Sequence, residues 1–303
     1  MGSGVRVYER AVAVHCGETV IMSKPLMGRY VLVLALFGQL FCGCSSWKGV
    51  ESSRSIRIKG SDTMLLLVRQ WAQEYMQEHP NVSIYTEGGG SALGIKALIN
   101  GKTDICASSR PMLPEEIKQL AEKQGSLGIS ILCAKDAISI YLHPDNPVRT
   151  LSLTQVRNIF LGSIQKWSEV GGRDEFITVL SRNPNSGTYL FLEQRILMGN
   201  PYTRSAVILP TTSAIIDSVA SDVNAIGYGG MAYGKNVYHC KIDTIAPKPA
   251  NVRNGTYPIS RHLYLYTVFR PRGLLKDFTD WIMSAEGQRI VEKVGYIPLY
   301  DLE

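Results

Sequence analysis

The sequence lacks every short arrangement that marks a metal centre or a familiar nucleophile. Its cysteines, Cys16, Cys42, Cys44, Cys106, Cys133 and Cys240, form no C-x-x-C pair and share no zinc spacing with histidine. That excludes a zinc ribbon, and 6 cysteines in 303 residues are too few for a disulfide scaffold. The histidines, His15, His79, His143, His239 and His262, contain no H-E-x-x-H. Neither sign of charge dominates: 32 Lys and Arg against 26 Asp and Glu leave +6, spread without a basic stripe, too mild a field to argue by itself for a nucleic-acid partner. No stretch repeats at a period of 20 to 50 residues. With 45% hydrophobic and 19% charged positions, the chain is neither disordered, collagenous nor a coiled coil.

The longest apolar run, from Tyr30 to Phe41, falls short of the roughly 20 residues that a membrane-spanning helix needs. It follows Met27-Gly28-Arg29 and precedes Cys42-Gly43-Cys44-Ser45-Ser46, the order of an export signal: charged start, apolar middle, small-residue end. The end of this segment resembles a bacterial lipobox, with Cys44 as the lipidated residue behind Gly43; a plain cleaved signal is the alternative. Residues 1–43 are therefore read as leader and signal peptide, with Met22 or Met27 as the true start, and 44–55 as a tether. Without 1–43 the balance is 28 basic against 24 acidic residues, or +4.

From Ile56 onward, short alternating runs punctuate amphipathic patterns, which predicts an α/β protein. Ser55–Lys59 alternates as a strand; Met64, Val68, Trp71 and Tyr75 then recur at helical spacing until His79-Pro80. Asn81–Tyr85 is the next strand, and Ser91–Ile99 the next helix. Trp71, Trp167 and Trp281 are expected to pack the core and the surfaces between lobes. Cys106 and Cys133 lie in strand-like segments and are either a pair or buried free thiols.

The turns carry the chemistry. Gly60-Ser61-Asp62-Thr63, Gly90-Ser91 and Asn185-Ser186-Gly187-Thr188 each place a Ser at a helix N-cap, and Ser108-Ser109-Arg110 ends a fourth strand. A helix N-terminus offers unpaired N–H groups and about half a positive charge, a seat for an anion. Singly such caps are ordinary helix punctuation. Together, with Arg182 ahead of one of them, they converge on a small tetrahedral anion, because Arg grips an oxyanion through two parallel hydrogen bonds.

The segments IKGSDTM (58–64), EGGGSALGIKALINGKTDICASSRPM (87–112), LTQVRNIFLGSIQKW (153–167), VLSRNPNSGTYLFL (179–192) and AIGYGGMAY (225–233) resemble the substrate-binding lipoproteins of phosphate ABC transporters. The likeness runs over about residues 56–300. It implies a type II periplasmic-binding-protein fold, two α/β lobes joined by two crossing strands that close over one phosphate. Lobe I is then 56–138 with 263–303 and lobe II 139–262, with crossings at Ala137–Leu142 and Tyr257–Leu265.

Carried over by position, the resemblance puts phosphate contacts on Thr63, the Met64 amide, Ser91, Arg182, Ser186, Gly187 and Thr188. Ser109 is counted with these contacts, and Ser61 and Asp62 are further candidates. At Ser109 the best-known branch of the family has an Asp, which accepts the phosphate proton and repels sulfate by about 4 kcal/mol at 4 Å. Asp62 either replaces that acceptor or compensates a helix dipole. The resemblance further implies a monomer outside the cytoplasm, in the periplasm or at the cell surface, lipid-anchored to the membrane and docking on ABC permease subunits, with no cofactor, metal or nucleic acid. A receptor for sulfate or molybdate and a phosphate sensor are the alternatives. A serine hydrolase or phosphatase would need Ser186 or Ser91 as nucleophile. Neither lies in G-x-S-x-G, GGGSALGIK is not a P-loop, and a base could come only from His143 or His262.

Overall fold

A computed structural model describes residues 54–302. The leader, the Cys44 anchor and most of the 44–55 tether lie outside the described residues. Arg54 and Ser55, read as tether, are already paired with Val82 and Ser83 in the first strand.

The elements alternate from the start: β1 (Arg54–Gly60), α1 (Leu65–Glu78), β2 (Val82–Glu87), α2 (Ser91–Ile99), β3 (Ile105–Ser108) and α3 (Pro114–Gln124). A long strand, β4 (Ile129–Leu142), leads to β5 (Thr150–Leu151), α4 (Leu153–Leu161), β6 (Thr178–Arg182), α5 (Gly187–Arg195) and β7 (Val207–Leu209). Then come α6 (Thr212–Ser221), β8 (Ala225–Gly230), β9 (Tyr238–Ile242), α7 (Pro249–Arg253), β10 (Ser260–Thr267), α8 (Leu274–Met283) and α9 (Ala285–Val294).

The strands run in the order β2-β1-β3-β10-β4-β8-β6-β7, with β9 on β4 and β5 on β9. β2, β1 and β3 are parallel, as are β7, β6 and β8 in the other half. β4 serves both halves. From Ile129 to Ala137 it pairs antiparallel with β10, and from Ile138 to Leu142 with β8. The second passage lies beside the first, where the Ile138 amide donates to the Ile259 carbonyl at 2.8 Å. The result is the two-lobed α/β architecture expected from the sequence.

Each lobe has its own core because each helix presents one apolar stripe to its sheet. On α1 that stripe is Leu67, Val68, Trp71, Ala72 and Tyr75, all buried, and the Trp71 indole donates to the Gly287 carbonyl of α9 at 2.8 Å. Ile56, Ile58, Leu263, Phe278 and Val291 complete this core. In the other lobe Ile138, Ile140, Phe160, Trp167, Ile226 and Tyr228 pack together. Trp281 is half-buried, edge-on to Tyr75. Cys106, Cys133 and Cys240 are buried free thiols, so the first two do not pair; burial pushes Cys240 up to about 12.

α2 lies unusually close to its sheet. A Cβ on Gly94 would stand 2.5 Å from Gly60 Cα and 2.6 Å from the Lys59 carbonyl oxygen. Gly94→Ala therefore forces α2 off β1 and is expected to cost about 1 to 3 kcal/mol in urea unfolding. A pH effect follows from His239 on β9. Its Nε2 lies 3.1 Å from the Gly234 carbonyl and its Nδ1 2.8 Å from Ser139 Oγ, so a neutral ring donates to the first and accepts from the second. Burial pushes its pKa below the usual 6.5. The unfolded chain then binds the proton more readily, and stability falls as pH drops through 6.5. Melts at about pH 7.5 and about pH 5.5 should show that loss, smaller in His239→Gln.

Candidate functional site

Four chain segments meet where the lobes face each other. The β1–α1 loop brings Ser61, Asp62 and Thr63; the start of α2 brings Ser91; the end of β3 brings Ser109; and β6 with the start of α5 brings Arg182, Ser186, Gly187 and Thr188. Each of the named Ser, Thr, Asp and Arg side chains is at most 8% exposed. Burying that much polarity is tolerable only because nearly every group is bonded.

The hydroxyls form a connected set. Ser61 Oγ donates to Ser109 Oγ at 3.0 Å, Ser109 Oγ lies 3.3 Å from Ser91 Oγ, and the Ser109 amide donates to Ser91 Oγ at 3.1 Å. Across the cleft, Thr63 Oγ1 and Thr188 Oγ1 are 2.8 Å apart. The Ala92 amide donates to the Asn185 carbonyl at 3.1 Å. The approach is so tight that only glycine fits at two places. A Cβ on Gly187 would stand 2.3 Å from Ser91 Oγ, and one on Gly90, whose φ is +109°, 2.5 Å from the Asn185 carbonyl oxygen. The lobes are closed on each other.

Arg182 is the charged centre, 1% exposed. Its Nη2 donates to Asp62 Oδ2 at 2.6 Å and to the Pro210 carbonyl at 2.9 Å, and its Nη1 to Thr212 Oγ1 at 2.9 Å. Asp62 Oδ1 accepts the Gly89 amide at 3.0 Å. Arg182 Nε donates to nothing and is the one buried side-chain nitrogen or oxygen without a partner among the described residues. Such an orphan N–H costs about 1 to 3 kcal/mol unless a ligand supplies the acceptor. The Gly187 amide, first in α5, is likewise not donated within the described residues.

The sequence-predicted residues are thus brought together, with three corrections of detail. Of the expected Ser caps only Ser186 caps its helix, accepting the Thr188 and Tyr189 amides at 3.2 and 3.3 Å. Ser91 is the first residue inside α2 behind Gly90, and α1 starts behind Met64 with no side-chain cap. The Met64 amide is already donated to the Ser61 carbonyl at 3.1 Å. Asp62 precedes α1, and its two carboxylate oxygens accept from Arg182 Nη2 and the Gly89 amide. His143 caps its own turn by accepting the Asp145 amide, and no histidine bonds Ser91 or Ser186 among the described residues.

Sequence reasoning missed a second guanidinium. Arg261, 7% exposed, sits on β10 within the Tyr257–Leu265 passage; its Nε and Nη2 donate to Asp136 Oδ2 at 3.1 and 2.9 Å. Its Nη1 reaches the Ser109 carbonyl and its Nη2 Thr188 Oγ1, each at 3.1 Å, so one side chain ties the first lobe to α5 of the second. The charged pair Asp136 and Arg261 at facing positions of two crossing strands was the available signal. Burial pushes the Asp136 carboxyl up against the opposing pull of Arg261 and of the Met231 amide. Removing one partner strands the other: Arg261→Met should lose about 3 to 5 kcal/mol of stability in urea unfolding, and Asp136→Leu in the same chain should restore much of it.

Residues 48–286 match the family model of the PBP superfamily domain. The phosphate-binding protein PstS of Pseudomonas aeruginosa is 32% identical over 79% of this chain and 81% of its own. That of Bacillus subtilis is 30% identical over 92% of this chain and 93% of its own. Among solved structures, one from Clostridium perfringens, described as a phosphate ABC transporter substrate-binding protein with bound phosphate, superposes with a TM-score of 0.76. It is 32% identical and covers 82% of this chain and 100% of that one. An ABC-type phosphate transport receptor from Vibrio cholerae gives a TM-score of 0.66 at 26% identity, covering 80% and 99%. Overlap at that identity and over that length of both chains, with the closed lobes already described, places this chain in the phosphate-binding PstS family of the PBP superfamily.

Proposed function

We propose that the protein captures inorganic phosphate between its lobes and delivers it to the membrane subunits of an ABC transporter. It would do so outside the cytoplasm, as a monomer anchored by lipid on Cys44. The observation that carries this reading is the unpartnered Arg182 Nε inside a closed cage of hydroxyls and amides. An oxyanion supplies the acceptor that this N–H lacks. Its other oxygens take the Gly187 amide and the hydroxyls of Thr63, Ser91, Ser186 and Thr188, exchanging hydroxyl–hydroxyl bonds for bonds to charge. Each charge-assisted bond contributes about 1.5 to 3 kcal/mol, and several are needed to offset stripping a dianion of water. Ser61 and Ser109 stand behind Ser91 and orient it.

Selectivity rests on Asp62. Hydrogen phosphate carries a proton that needs an acceptor, whereas sulfate at neutral pH carries none. Each Asp62 oxygen accepts one bond, from Gly89 or from Arg182, and a carboxylate oxygen has room for a second. Asp62 thus takes the place of the carboxylate that the best-known branch of the family has where this chain has Ser109. The lobes turn about Ala137–Leu142 and Tyr257–Leu265, and closing over the anion makes the face that a permease reads.

Supporting this reading, relatives named or described as phosphate receptors match most of the chain. Transport is the reading for a closing two-lobed receptor; a sensor would share the site and differ in leaving uptake unchanged when the protein is deleted. Isothermal titration of the anion-stripped protein should give phosphate a Kd near or below 1 μM, about −8 kcal/mol, with sulfate and molybdate at least about a hundredfold weaker. Asp62→Asn should narrow that gap, and Arg182→Met should abolish binding of all three. Equal binding of sulfate would make the protein a general oxyanion receptor. No binding of any of the three would overturn the reading.

A further inference from the structure

A cavity of about 540 Å³ opens beside β10, lined by both lobes and by the crossing strand. It is far larger than a tetrahedral oxyanion needs and falls in the range of small organic ligands. Its lining contains no Asp or Glu. Two of its three arginines are neutralised: Arg110 donates to both oxygens of Glu116 at 2.8 and 2.7 Å, and Arg261 is held by Asp136. The guanidinium of Arg195, exposed at the end of α5, makes no hydrogen bond or ion pair among the described residues. Exposed His262 lines the same space, opposite Lys135 in the β4–β10 register, and burial together with that lysine pushes its pKa down, so the ring is a neutral donor at pH 7. The rest of the wall mixes polar Ser109, Gln194 and Ser260 with apolar surface from Leu153 and Phe191 on one lobe and Tyr264 on the other.

One free guanidinium, a neutral imidazole and two aromatic faces suit a ligand with one negative charge and a flat apolar body. We propose that this cavity binds a small aromatic or branched organic monoanion through Arg195, and that its occupation favours the closed lobes. The coupling comes from the lining. Arg261 and Ser109 border the cavity and also hold the closed site, through Arg261 Nη1 on the Ser109 carbonyl and Nη2 on Thr188 Oγ1. A ligand that touches both lobes gains its full contact only when they are together, and by linkage it tightens whatever else binds that arrangement.

The probe is benzoate, with benzamide as its neutral counterpart, titrated calorimetrically into the full-length protein saturated with phosphate. Saturable benzoate binding, at least about tenfold weaker for benzamide and about tenfold weaker in Arg195→Ala, is the expected result. Leu153→Trp, which narrows the cavity and crowds its apolar wall, should weaken it at least about tenfold. Saturating benzoate should also tighten phosphate binding severalfold in the wild type and leave it unchanged in Arg195→Ala, whose phosphate affinity without benzoate is that of the wild type. No saturable binding, equal binding of benzamide, or indifference to Arg195→Ala would overturn the proposal. So would benzoate that weakens phosphate binding, the sign of competition for the Arg182 site. Should the protein bind no phosphate at all, the benzoate titration by itself still decides the cavity, so the two readings fail separately.

Discussion

Arg182 carries a full charge where 1% of it meets solvent, and the closed arrangement of the lobes depends on how that charge is satisfied. Asp62 from the β1–α1 loop of the first lobe neutralises it at 2.6 Å, while Thr212 and the Pro210 carbonyl of the second lobe fix its plane. This pair stays intact only while the lobes are together, because its members belong to opposite halves. Opening exposes both ions to water, which removes the desolvation penalty as well as the attraction. Closure by the ion pair alone is therefore nearly balanced, and the unpartnered Nε is what an anion adds to tip it. A receptor that must release its cargo needs such a balance, since a cage held shut by its own contacts would not open.

The Asp136–Arg261 pair is a different device. It joins neighbouring strands at facing positions of the β4–β10 ladder, with Asp136 fully buried. Its reach to the Ser109 carbonyl and to Thr188 makes it a fixed post against which both lobes register. Of these two buried ion pairs, one spans the cleft and the other ties β4 to β10.

Much of this was legible in the residues. The strand-turn-helix alternation, the stripe through Leu67, Trp71 and Tyr75, and the Ser-, Gly- and Thr-bearing turns are local patterns, and local patterns survive without a structure. The gathering of Ser61, Thr63, Ser91, Arg182, Ser186 and Thr188 was read from turn chemistry together with resemblance. What escaped is what depends on pairings distant in sequence. Asp62 and Arg182 are 120 positions apart, as are many residues that could have been partners. Arg261 sits in an alternating apolar run where its charge looks like a solvated face, yet β4 covers it. The cap at Gly90 was misplaced because a Ser inside the first turn and a Ser at the cap look alike in sequence, and that of α1 because the helix starts only after Met64, three residues beyond Ser61. Cys106 and Cys133 both lie in strands of one lobe, but they are separate buried free thiols.

The most direct measurement is a crystal structure of the protein loaded with phosphate. A phosphate oxygen should accept from Arg182 Nε at about 2.9 Å, with further contacts from both lobes. Phosphate bound elsewhere, with that N–H still unpartnered, would contradict the role given to Arg182.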